Sequence, residues 1–225
     1  MSFGQAQPYA DPNIPKPTSG YGADGPYTPA AISFDNPAWP GHSIEIHHPA
    51  EISTPVPAIF YCHAFGGNDA ERVEGMLDFV AKKGYAAVFV PYQTTGVTSD
   101  ERYANLVGGF RAAARNYPGT IDTTRVGLLG HSFGGGAVFA TAYNLFTEND
   151  WGANGRFVYA LAPWYALQIT QDQLTGFPND AKVLIEIIDN DSTNDHRMAI
   201  DFMGTIVVPS TEKDFLLVRS DTING

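Results

Sequence analysis

Apolar and polar residues change rhythm repeatedly along this chain, and each change marks an element. Ala31 to Asp35 and Ser43 to His47 read as short strands, the second alternating Ile44 and Ile46 with polar neighbours. Val56 to Cys62 and Tyr85 to Pro91 are nearly unbroken apolar runs, as strands covered on both faces require. Between them, Asp69 to Lys83 sets Val73, Met76, Leu77 and Val80 at helical spacing, and Gly84 supplies the stop. Further on come a helix from about Asp100 to Asn116, a strand from Arg125 to Gly130 and a helix from Phe133 to about Phe146. Phe157 to Ala162 and Lys182 to Ile188 are two more apolar strands. Asp195 to Met203 is expected to be helical, and Phe215 to Val218 is the last strand. Repeated strand–helix–strand units predict an α/β fold, a mostly parallel central sheet with helices on both faces. Ligands in such sheets gather at the carboxyl ends of the strands.

Residues 1–30 behave differently. Six prolines, from Pro8 to Pro29, are interspersed with Gly20, Gly22 and Gly25, so this stretch is expected to form an extended arm. Residues 31–225 then form one α/β domain, with no repeat and no second composition regime. The apolar fraction, 44%, is enough for one sizeable core. The formal charge of -11 disfavours phosphate backbones and anionic lipid, so neither nucleic acid nor a membrane is expected as a partner. Cys62 is the single cysteine, which excludes an internal disulfide, and its apolar run makes it an inert core thiol. Met1 to Gln5 carries no leader signature, and a chain whose leader has been removed looks the same. Localisation is therefore open, with secretion favoured over the cytoplasm, and composition leaves the oligomeric state open.

The chemistry concentrates at Gly130-His131-Ser132-Phe133-Gly134, a G-x-S-x-G pentapeptide with a strand before it and a helix after it. A nucleophilic serine at such a turn is held at the helix N-terminus, and flanking glycines let neighbouring backbone pass close by. Ser132 is the expected nucleophile. A second turn, His63-Ala64-Phe65-Gly66-Gly67, follows the strand ending at Cys62, where the other oxyanion donor arises in this arrangement. The amides of Phe65 and Phe133 are the expected oxyanion hole. Asp191, in the loop after Lys182 to Ile188, stands where the triad acid belongs; Asp189 lies too near the strand end.

The base is harder to place. The histidine should follow the last strand, and none does among His42, His47, His48, His63, His131 and His196. His131 adjoins Ser132 but points elsewhere in an elbow. His196 follows Asp191 by five residues and is a weak fallback. Two expectations stay open: a histidine carried beyond Gly225, which is favoured, or a hydrolase-like protein that lacks the full triad.

Several stretches together resemble the bacterial cutinase and polyester hydrolase family of the α/β-hydrolase superfamily. They are Gly119 to Gly127 leading into Gly130 to Gly136, then Ala162-Pro163-Trp164, Asn190-Asp191-Ser192, Phe65 at the aromatic oxyanion position, and Gly25-Pro26-Tyr27. The resemblance covers roughly residues 25 to 220. It implies the α/β-hydrolase fold and hydrolysis of small or polymeric esters through an acyl-enzyme, with no metal or cofactor. It also implies that Trp164 flanks the substrate; we place His131 on the same binding wall. Dienelactone-hydrolase-like and lipase-like enzymes, or a catalytically impaired binding protein, are the alternatives. The chain departs from the family in lacking the C-terminal histidine motif, a C-terminal disulfide and a visible leader.

Overall fold

The apolar runs form one eight-stranded sheet in a computed structural model that describes residues 17–148, 151–164 and 169–219. The strands are β1 (Pro29–Asp35), β2 (Ser43–Pro49), β3 (Val56–Cys62), β4 (Ala86–Phe89), β5 (Ile121–His131), β6 (Arg156–Leu161), β7 (Lys182–Ile188) and β8 (Lys213–Val218). The helices are α1 (Glu74–Lys82), α2 (Ser99–Asn116), α3 (Phe133–Glu148), α4 (Gln171–Thr175) and α5 (His196–Thr205). In space the strands run β1-β2-β4-β3-β5-β6-β7-β8. The pairings β1–β2 and β2–β4 are antiparallel, and all the others are parallel.

Several bounds differ from the sequence expectation, β5 among them, which runs Ile121–His131 where Arg125 to Gly130 was expected. The sheet begins at Pro29, inside the expected arm. The expected helix from Asp69 divides into a 3₁₀ turn at Ala70–Arg72 and α1, because Val73 leaves helical geometry with φ −125° and ψ 8°. The short helix α4 was not expected.

Alternation along the strands divides the core into two layers. Phe60, Val88 and Leu128 lie fully buried under α2 and α3, with Phe110, Phe139 and Leu145. Their neighbours Tyr61, Ala87 and Phe89 face the other way and pack with Leu77 of α1. On that second face α1 covers β1, β2 and β4. Across β5 to β8 the cover thins: Leu129, Tyr159 and Leu184 are half-buried, and Ile188, Leu216 and Val218 are exposed. The edge strand β8 shows Phe215, Leu216, Leu217 and Val218 at 37–47% exposure, so apolar residues on both its faces meet solvent.

This gradient gives a direct test. Ile185→Thr on β7, at a position with 0% exposure, is expected to cost about 2–4 kcal/mol, since it removes buried apolar surface and strands a hydroxyl. Leu216→Thr, one strand away and 47% exposed, is expected to cost less than about 1 kcal/mol. Urea denaturation of the two variants beside the unmodified chain measures both; equal losses would contradict the gradient.

Candidate active site

Ser132 sits between β5 and α3 with φ +56°, a left-handed conformation that a non-glycine residue adopts only when its surroundings impose it. The surroundings here are backbone. A Cβ on Gly130 would stand 2.1 Å from the Gly134 carbonyl oxygen, and one on Gly134 would stand 1.8 Å from that of Cys62. The two glycines of the pentapeptide therefore let α3 start hard against the ends of β5 and β3. The Ser132 amide donates to the Leu161 carbonyl at 3.0 Å, and its own carbonyl accepts from Trp164 N at 2.8 Å and Gly136 N at 3.2 Å. The elbow is thus tied to the end of β6, where Ala162 is the other described non-glycine residue with positive φ, +41°.

As the first residue of α3, Phe133 has an amide with no carbonyl to bond inside its helix. The loop after β3 brings Phe65 beside it. Its ring meets that of Phe133 edge-on at 6.2 Å, and the Arg102 guanidinium lies over both rings at 5.4 and 5.5 Å. Neither the Phe65 nor the Phe133 amide donates to a backbone carbonyl among the described residues. The Phe65 side chain is half exposed, while that of Phe133 is fully buried. Trp164, half-buried, sets its ring 6.3 Å from Phe133. Tyr92 is fully buried and donates its hydroxyl to the His63 carbonyl at 3.0 Å, so it supports the loop from behind and does not line the surface.

Asp191 follows β7 and is held by its own loop, accepting from Thr193 N at 2.8 Å, Asn194 N at 2.9 Å and Asn194 Nδ2 at 2.8 Å. Burial works to raise its carboxyl. The donors from Asn194 and Thr193, with nearby His131, outweigh that and bring it below the usual carboxylate range. His131 ends β5 on the face that α1 covers. Burial lowers its imidazole, opposed by the charge of Asp191, and with His63, Phe65, Gly67 and Arg72 it lines an open cleft of about 250 Å³.

None of the six histidines hydrogen-bonds to Ser132 or Asp191 in this structure. His196 begins α5 exposed to solvent; His47, on β2, pairs with Asp78 of α1 at 2.7 Å; His63 turns Nδ1 to the Ala64 carbonyl at 2.8 Å. A histidine carried beyond Gly225 lies outside the described residues. The partner that Ser132 Oγ does find is Asn194 Oδ1, at 3.4 Å. Sequence reasoning passed over Asn194 and Arg102. The signal for Asn194 was its position three residues after Asp191, where an aspartate bends its loop by accepting backbone amides.

A bacterial heroin esterase of known structure matches 85% of this chain and 75% of its own, with a TM-score of 0.63 at 16% sequence identity. The chain has the α/β-hydrolase fold. No protein-family model matches the sequence, and no curated protein does. The likeness therefore extends to the fold alone. Within it, Ser132 and Asp191 stand at the carboxyl ends of parallel strands, the edge where the sequence reading looked for chemistry. No described helix is long and apolar enough to cross a membrane.

Proposed function

We propose that this chain is a serine ester hydrolase that works through an acyl-enzyme. The observation that carries the reading is the strained Ser132 at the strand–helix turn, followed directly by Phe133, whose ring packs against that of Phe65. In this reading Ser132 Oγ attacks the ester carbonyl and passes its proton to an imidazole that Asp191 orients. The two amides hold the oxyanion; losing one such donor typically costs about 3 kcal/mol of the barrier. The proton goes to the departing alcohol, and water then frees the acid by the same route. Trp164 and the half-exposed Phe65 ring flank the acyl group, and His131 borders the cleft. No metal or cofactor takes part. Aromatic side chains at the entrance suit an aromatic or polymeric ester as well as a small one.

A second reading, a binding protein with impaired catalysis, is favoured by one observation: among the described residues, no histidine bonds to Ser132 or Asp191. A fluorophosphonate probe and p-nitrophenyl butyrate separate the two. Labelling of Ser132 together with ester hydrolysis, both lost in Ser132→Ala by at least a factor of about 10³, is the expected result. A folded chain whose Ser132 takes no label would leave only the second reading.

A further inference from the structure

Ser132, Asn194 and Asp191 form one continuous chain of side-chain hydrogen bonds. The Asp191 carboxylate only accepts, so the Asn194 amide must turn Nδ2 towards it, and the 2.8 Å contact agrees. That leaves Oδ1 facing Ser132, whose hydroxyl donates to it at 3.4 Å. A second bond, from the Asn194 amide nitrogen to Asp191 at 2.9 Å, fixes the residue from its backbone. These are the two hydrogen bonds an imidazole makes in a serine triad: it accepts from the nucleophile and donates to the acid. The difference is basicity. An amide oxygen accepts a hydrogen bond but does not hold a proton at neutral pH, so Asn194 aligns the hydroxyl without activating it.

We propose that residue 194 stands at the proton-acceptor position of this site: Asn194 is a positioning residue that links Ser132 to Asp191, and any base has to take over both of its hydrogen bonds. The proposal rests on Ser132 being the nucleophile. It follows that an imidazole placed at 194 can make both bonds and act as the base from that position. Its unprotonated nitrogen removes the Ser132 proton as Oγ bonds to the carbonyl carbon, and the imidazolium returns that proton to the leaving alcohol.

Asn194→His is the test, assayed on p-nitrophenyl acetate with far-UV circular dichroism to verify the fold. The expected gain in kcat/KM is at least about 10²-fold, the range of a positioned general base. The gain should rise with pH along one ionisation in the imidazole range, near about 6.5, and vanish when Ser132→Ala is added. A merely structural role for Asn194 would produce no such pH profile. Asn194→Gly provides a second route, because it opens the gap between hydroxyl and carboxylate. Hydrolysis by this variant should rise with added free imidazole and saturate, whereas the unmodified chain should not respond. If neither variant gains activity while the fluorophosphonate still labels Ser132, the acceptor position lies elsewhere and the nucleophile stands. If Ser132 takes no label in any variant, the esterase reading fails and this proposal fails with it.

Discussion

Gly134→Ala is expected to destabilise the chain by more than about 3 kcal/mol, or to prevent folding. The added carbon would stand 1.8 Å from the Cys62 carbonyl oxygen, 2.4 Å from its carbon and 2.7 Å from the His63 carbonyl oxygen. All three are backbone atoms at the end of β3, and none can rotate away as a side chain can. Relief requires α3 to withdraw from β3, which would separate Phe133 from the loop that carries Phe65. Stability and site would therefore fail together. Gly108→Ala is the control, since a Cβ there meets nothing within 4 Å and the residue lies inside α2. It should stabilise by about 0.5–1 kcal/mol through lower backbone entropy in the unfolded chain. Chemical denaturation of both variants measures the contrast. A Gly134→Ala protein as stable as the Gly108→Ala protein would show that the close approach at the elbow is not required.

Much of the fold could be read from the chain because each buried strand carries its own signal. Val56–Cys62 is apolar on both faces because both are covered, Lys182–Ile188 carries an apolar signal although its second face is thinly covered, and the structure gives each the expected bounds. The shorter elements were less visible. α4 spans five residues, too few for a helical apolar stripe, and its only local mark is the capping pair Thr170 and Gln173. The break at Val73 was hidden because Val73, Met76, Leu77 and Val80 keep helical spacing across a 3₁₀ turn that becomes an α-helix. Strand order was beyond local reading as well. That β4 lies between β2 and β3 depends on pairings such as Ile46 with Val88, which join residues far apart in sequence.

The site divides in the same way. Gly130, Ser132 and Gly134 were legible because close backbone approach permits few residue types, and those residues stand in a five-residue window. Phe65 and Phe133 could be placed by element order alone, and the structure sets their rings against each other. Asn194 could not. Its role comes from a side-chain bond to a residue 62 positions away, and asparagine in an Asp-rich loop reads as turn chemistry. Arg102 was equally silent: it belongs to the polar start of α2 and reaches the two phenylalanines only through tertiary packing. Residues that a local backbone shape demands are visible in sequence, and residues that long-range geometry recruits are not.

Acid is expected to destabilise the chain through His63 before most carboxylates titrate. His63 is the first residue after β3, opens the Phe65 loop and is buried, stacked on Tyr92 at 4.0 Å and on Phe89 at 5.3 Å. Burial lowers its imidazole to about 4, against a smaller opposing effect of its bond to the Ala64 carbonyl. Its Nε2 is buried with no partner among the described residues, so a proton there would be a charge without solvent or counterion. The folded chain therefore keeps His63 neutral, while the unfolded chain binds a proton as pH falls below about 6.5. Stability is complete above that value and is lost progressively down to about pH 4, a loss on the order of 3 kcal/mol over the whole window. His63→Asn retains a side-chain N–H for the Ala64 carbonyl but cannot titrate. Unfolding free energies at pH 7 and pH 4.5 should fall steeply for the unmodified chain and much less for this variant. Parallel falls would assign the acid sensitivity to carboxylates instead.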